Sequence, residues 1–233
     1  MRYSDATVVL PTYNEGKNIG SLIDRITREY PGIGVIVADD GSKDGTIDEA
    51  RKAAKRNRGV SFFDRSKMGL ERGLTGSAID GILRSRTKFA IVMDADFQHP
   101  PEKIGEVIEA LRKGNDLVVA VREAVPGWEA HRKAISKLLI AVGYAVLVVS
   151  GRARCSDIFS GYFGVDRKFF AQIYKKNRGR FVVRGYKILF DLLKCIDGPY
   201  RVEEVPFTFN VRAAGKSKAS AKHVAALISS FMS

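Results

Sequence analysis

Five short apolar runs alternate with helical patterns along the first half of the chain, and that alternation constrains the fold more than any other feature. "ATVVL" (6–10) precedes "GSLIDRITREY", "GVIVA" (34–38) precedes "TIDEARKAAKR", and "VSFF" (60–63) precedes "GSAIDGILRS". "FAIVM" (89–93) precedes "PEKIGEVIEALRK", and "DLVVA" (116–120) closes the series. A β-α repeat of this kind predicts a mainly parallel, doubly wound sheet flanked by helices. With 233 residues the chain suits one α/β domain. Later, "HRKAISKLLIAVGYAVLVV" reads as a helix, basic at its start and apolar at its end. Helices are predicted near 168–176 and 185–195, and a strand over "YRVEEVPFTF". The expected division is a catalytic domain over 1–213 and a helical tail over 214–233.

In parallel sheets ligands bind beyond the carboxyl ends of the strands. The polar residues cluster there. "PTYNE" (11–15), "DDGSKDGT" (39–46), "DADFQHPP" (94–101) and "VREAVPG" (121–127) follow the first, second, fourth and fifth runs. One such loop is explained by helix capping. Four of them on one edge point to a site.

Asp94 and Asp96 are the sharpest part of it. With one residue between them, their side chains fall on one face of an extended segment. Two carboxylates so placed can share Mg²⁺ or Mn²⁺, hard cations that take oxygen ligands and keep room for waters and substrate phosphates. Gln98 continues the alternation and offers a neutral oxygen, so the expected metal set is Asp94, Asp96 and Gln98. His99, restrained by Pro100, reads as structural rather than as a ligand. No GxxxxGK[ST] and no GxGxxG occurs, which sets aside a Walker-type nucleotidase and a dinucleotide-binding dehydrogenase. Asp40 could accept hydrogen bonds from a base edge or from ribose hydroxyls. A nucleoside diphosphate carrying a leaving group, held through the cation, fits these parts.

The net charge of +13 asks for an anionic partner. Between residues 166 and 222 there are 14 Lys/Arg against 5 Asp/Glu. A basic module for nucleic acid would carry aromatics interleaved with the basic residues, and here there are few; it also leaves the acidic loops unexplained. Nucleic acid is therefore not the expected partner. Cys155 and Cys195 stand 40 residues apart with no CxxC, as buried thiols of a reducing compartment would. The N-terminus enters its first strand-like run at once, so no signal peptide is expected. The longest apolar run, "LLIAVGYAVLVV" at 138–149, has 12 residues, whereas a spanning helix needs about 20.

"PTYNE", "DDGSKDGT", "MDADFQHPPE", "SGYF", "GYKIL" and "VPFTFNVRAAGKSK" together resemble glycosyltransferase family 2, most of all its dolichyl-phosphate mannosyltransferase and polyprenyl-phosphate glycosyltransferase branch. They run in the family's order from residue 8 to about 218. The resemblance implies a single Rossmann-like domain of the glycosyltransferase A type, with C-terminal amphipathic helices at an interface. It implies transfer of a hexose, mannose from GDP-mannose or glucose from UDP-glucose, to a polyprenyl or dolichyl monophosphate with inversion. A family 2 transferase with a hydroxyl acceptor is the other form. Pro11, Tyr13, Glu15, Ala38 and Asp40 would line the nucleotide pocket, and Asp94, Ala95, Asp96 and Gln98 would meet the nucleotide sugar. Arg122, Arg132 and Ser136 match positions that receive the lipid phosphate and, with Asp96, form the implied catalytic set. Lys187 and Arg212 match basic positions near the donor or acceptor phosphates. Asp157 stands where relatives acting on hydroxyls place a base; here a structural or sugar-contacting role ranks first. The fifth loop departs from the family's more usual Gly-Ser-Arg-Tyr, keeping the Arg but placing Ala120, Val121 and Glu123 around it. The apolar helix over 138–149 matches a segment that rests on the membrane, which implies a peripheral protein on the cytoplasmic face. A membrane-anchoring subunit, or a transmembrane segment after residue 233, would complete the anchor.

Overall fold

A seven-stranded sheet in the order β3-β2-β1-β4-β6-β5-β7 carries the molecule. The computed structural model describes residues 2–124, 130–149, 155–210, 226 and 229–231, with the backbone alone at 130–138 and 149. The elements are β1 (Ala6–Thr12), α1 (Ile19–Glu29), β2 (Gly34–Asp39), α2 (Thr46–Arg56), β3 (Val60–Asp64), α3 (Leu74–Arg84) and β4 (Phe89–Val92). They continue with α4 (Ile104–Arg112), β5 (Leu117–Ala124), α5 (Ala130–Val149), β6 (Phe163–Asp166), α6 (Arg167–Asn177), α7 (Ile188–Cys195) and β7 (Val202–Thr208).

Every residue of β1 is buried, as befits a central strand covered on both faces. Its side chains alternate between two cores. Val8 and Leu10 join one core with Ile19, Leu22, Ile23 and Ile26 of α1. Val9 joins the other with Ile79 and Ile82 of α3. β4 divides the same way, Phe89 and Ile91 against Ala90 and Val92. Spacings of three and four put these helical residues on one face. A proline is unusual inside a central strand. Pro11 is tolerated because the β1–β4 ladder ends at the Val9–Val92 pair, two residues before it.

The expected β-α series and the mainly parallel sheet are present, with one element the strand reading left out. Residues 163–166 form β6, antiparallel to both β4 and β5 and lying between them. β5 is thus not the neighbour of β4, and β7 pairs with it in parallel on the far side. The two later helices fall at 167–177 and 188–195. The second begins after Lys187 and leaves 181–187 as a loop. α5 buries Gly143 and Leu147 and turns Ala141, Val142, Ala145 and Val148 outward.

Candidate active site

The sheet order brings the ends of β2, β1 and β4 side by side, and their loops hold one another. Asn14, at a positive φ of 55°, donates its N–H to Ser42 Oγ at 2.7 Å and accepts from the Lys43 N–H at 2.9 Å. Glu15 N–H meets Thr46 Oγ1 at 2.8 Å, and its carboxylate accepts from Asn18 Nδ2 at 2.9 Å. Pro11 and Ala38 are register partners across β1 and β2, both buried, while Tyr13 is exposed. The two aspartates of "DDGS" divide their work. Asp39 folds the turn, its Oδ1 accepting from the N–H groups of Gly41 and Ser42. Asp40 is held by Arg65 Nη1 at 2.9 Å and by the Gly73 N–H at 2.9 Å. Burial outweighs these donors, and the Asp40 pKa lies above the ordinary carboxylate value. Gly73 has φ 146°, and a Cβ there would lie 2.0 Å from the Val183 carbonyl oxygen, so only glycine fits this approach.

Arg65 is what the sequence reading missed on this side. It is 3% exposed and also bonds Asp80 through Nε at 2.7 Å. No periodicity links residues 40, 65 and 80, so the pairing becomes visible only in three dimensions.

The acid loop corrects the extended reading. β4 stops at Val92, residues 95–99 bend, and Phe97 takes a positive φ of 65°. The Gln98 N–H turns back onto Asp96 Oδ1 at 3.0 Å. Gln98 is therefore not carried beside the two acids by strand alternation. It pairs with Asn210 instead, accepting its N–H at 3.0 Å and reaching its carbonyl through Nε2 at 3.4 Å. The Asp94 side chain is half-exposed, whereas Ala95 and Asp96 are buried.

His99 supports this bend from below. Its Nδ1 accepts the Asp94 N–H at 2.9 Å, and its ring stacks on Tyr162 with centroids 5.2 Å apart. Burial, partly offset by Asp96, pushes its pKa down to about 3. The imidazole is neutral, carries its proton on Nε2, and has its acceptor nitrogen engaged. The donor atoms that Asp94 and Asp96 bring to this edge are oxygens. That set suits a hard cation that brings its own waters and phosphate ligands. Among the described residues no group of three His, Cys, Asp or Glu is placed to hold a metal.

Beyond β6 lies a second, basic cluster. Arg122 forks onto Asp157, Nε to Oδ2 at 2.7 Å and Nη2 to Oδ1 at 2.7 Å. Burial alone would raise the Asp157 pKa, but the guanidinium, helped by Lys187, holds it below the usual carboxylate range. Lys187 donates to the Phe159 carbonyl at 3.0 Å. Burial and the nearby Arg122 push its pKa down to about 8, against the pull of Asp157 and Asp94. The two clusters are near enough for the Asp94 carboxylate to act on the Lys187 charge, and Gly161 lies on the acid side, where a Cβ would stand 3.5 Å from an Asp94 carboxylate oxygen. Arg132 and Ser136 lie on α5 with side chains outside the described residues, and Arg212 lies outside them altogether.

Residues 7–174 match the family model described as Glycosyl transferase family 2. The chain is 36% identical over 225 residues to the dolichol-phosphate mannosyltransferase of Pyrococcus furiosus, covering 94% of this chain and 60% of that one. To the Saccharomyces cerevisiae protein of the same name it is 30% identical, covering 93% and 81%. The chain therefore spans about three fifths of the length of the Pyrococcus relative. Among solved structures, mannosyl-3-phosphoglycerate synthase from Rubrobacter xylanophilus matches with a TM-score of 0.63 at 19% identity, over 96% of this chain and 70% of that one. Glucosyl-3-phosphoglycerate synthase from Mycobacterium tuberculosis, in complex with Mn²⁺, uridine diphosphate and phosphoglyceric acid, matches at 0.63 and 19%, over 91% and 71%. At these identities the likeness is one of fold, the glycosyltransferase A-type arrangement.

Proposed function

The chain belongs to glycosyl transferase family 2, and from that premise we propose that it transfers mannose from GDP-mannose to a polyprenyl or dolichyl monophosphate, inverting the sugar carbon and releasing the nucleoside diphosphate. The observation that carries this reading is the proximity of two chemically distinct clusters, Asp94 of one acting on Lys187 of the other. An oxygen-donor acid loop lies on the donor side, and Arg122 with Lys187 lies on the other. The names of the curated relatives agree with it.

Pro11, Tyr13, Glu15, Ala38 and Asp40 would hold the nucleotide, with Asp40 fixed in direction by Arg65 and Gly73. Asp94 and Asp96 would hold Mg²⁺ or Mn²⁺. A cation bound there supplies neutralisation of the charge that grows on the departing diphosphate. A polyprenyl monophosphate is already anionic at neutral pH and needs no strong base to attack. Arg122, Arg132, Ser136 and Arg212 would receive and orient it, because guanidinium forks match phosphate oxygens. A carboxylate held by an arginine fork is a poor base near neutral pH. That argues against a hydroxyl acceptor activated by Asp157.

Lys187 gives the reading a pH signature. Its charge is present below about 8 and lost above it. If that charge serves the phosphates, the rate falls as pH rises through about 8, and Lys187→Met lowers the rate and flattens this limb. An unchanged limb in the variant removes Lys187 from the transfer step.

The outward stripe of Ala141, Val142, Ala145 and Val148 on α5 gives the protein an apolar face for a membrane surface. Among the described residues no helix is long and apolar enough to cross a membrane. We place the protein peripherally on the cytoplasmic face, where the buried thiols of Cys155 and Cys195 are at home.

The deciding experiment incubates the protein with Mn²⁺, a panel of GDP- and UDP-sugars and a short polyprenyl phosphate, and identifies the lipid product by mass. Mannosyl phospholipid from GDP-mannose is expected. A glucosyl product from UDP-glucose replaces the donor, and transfer only to a free hydroxyl overturns the acceptor.

A further inference from the structure

Ser230 lies far along the chain from every residue above, yet it is 2% exposed. Its hydroxyl donates to Asp191 Oδ1 at 2.8 Å, and its carbonyl accepts from Lys194 Nζ. Asp191 and Lys194, one turn apart on α7, form a charge pair at 3.4 Å and are 1% and 3% exposed. Burying two charges is costly unless their remaining hydrogen-bonding capacity is met. Here the last segment meets part of it. The other Asp191 oxygen, Oδ2, accepts the Val182 N–H at 2.9 Å. One carboxylate thus ties the C-terminal segment to the 181–187 loop.

That loop reaches both the Asp40 side of the site and the basic cluster. Its Val183 and Gly185 carbonyls accept the Gly76 and Thr75 N–H groups at the start of α3, next to the Gly73 that holds Asp40. Its far end is Lys187. Phe231 reinforces the same junction. Its ring packs edge-on against Phe190 at 5.4 Å and lies 6.2 Å from Phe159, whose carbonyl accepts the Lys187 ammonium.

We propose that Ser230 and Phe231 form a latch that positions the 181–187 loop, and Lys187 with it, so that the C-terminal segment is a working part of the transfer site. The placing of Lys187 in that site rests on the function proposed above; the latch itself rests on the contacts just described. Ser230 and Phe231 are positioning residues and touch no reacting atom.

The test uses the full chain and the variants Ser230→Ala, Ser230→Thr and Phe231→Ala. Amide hydrogen exchange is read across the molecule, and kcat and KM are measured with the donor and acceptor proposed above. Loss of one buried hydrogen bond is expected to speed exchange at 181–187 by about tenfold in Ser230→Ala, with β1 and α1 unchanged. kcat is expected to fall by a similar factor while donor KM stays within about twofold. Ser230→Thr keeps the hydroxyl and restores both, and Phe231→Ala acts in the same direction as Ser230→Ala. Unchanged exchange at 181–187 overturns the proposal. So does exchange that rises evenly over the whole chain, which would make Ser230 a contributor to global stability alone. If no donor supports transfer in the unaltered protein, the functional reading fails, and the exchange pattern still decides the latch.

Discussion

Asp96→Ala is expected to lower the transfer rate by about 10²–10³-fold and to abolish its dependence on divalent cation. The magnitude follows from removing a fixed charge at the point where a diphosphate leaves. Asp96 is buried and also receives the Gln98 N–H, so the Ala variant disturbs the bend as well as the charge. Asp96→Asn separates the two effects. It keeps an oxygen for that N–H and loses the charge, so its melting temperature should stay near that of the unaltered protein while its activity falls nearly as far as in Ala. Asp94 is half-exposed and its side chain braces less, so Asp94→Ala should cost activity with little stability. Full activity of Asp96→Ala in the presence of a chelator would sink the metal role.

Arg122→Ala carries the second large effect, and here stability and activity fall together. The Arg122 and Asp157 side chains are 15% and 10% exposed. Removing one partner leaves the other charge buried and unpaired, at a cost of about 3–5 kcal/mol. Asp157→Asn should destabilise for the same reason. Loss of activity in Asp157→Asn is therefore no sign of a lost base, since the same change frees the arginine beside it. The discriminating variant is the double replacement Arg122→Met with Asp157→Leu. An apolar pair of similar size regains most of the stability. A phosphate acceptor predicts that this folded protein remains inactive; recovered transfer would remove Arg122 from the chemistry. The pH dependence has a definite sign. The native Asp157 pKa lies below the ordinary carboxylate value of 3.8, so its contribution is present above that value. It is lost as pH falls below 3.8 toward the native value, because the unfolded chain takes up its proton first. In Arg122→Ala burial is opposed only by Lys187 and the backbone N–H of residue 122, and acid sensitivity should move to higher pH.

The donor half of the site was legible in the sequence because it is local. Each of its loops follows an apolar run, so the positions of Pro11, Asp40 and Asp94 follow from strand ends alone. The bend at 95–99 was not legible. A positive φ at Phe97 leaves no mark in a hydrophobic pattern, and the alternation of Asp94, Asp96 and Gln98 looks extended on paper. β6 escaped because four residues with a glycine among them make a weak strand signal. The arginine partners escaped for another reason. Arg65 with Asp40, and Arg122 with Asp157, are 25 and 35 residues apart, and nothing in a single sequence marks one charge as belonging to another.

The reversed strand β6 also sets an order of assembly. β3, β2, β1 and β4 pair only among themselves until β6 arrives, so the nucleotide side of the sheet is complete once residue 92 has been made. β5 has no place beside β4. It joins the sheet through β6 and β7, both later in sequence. It must wait for residues 163–166 to return across the intervening α5, a closure over many residues that is slow compared with local pairing. During synthesis the nucleotide-facing half can take shape while Arg122 is still unanchored, and the basic half closes onto it last.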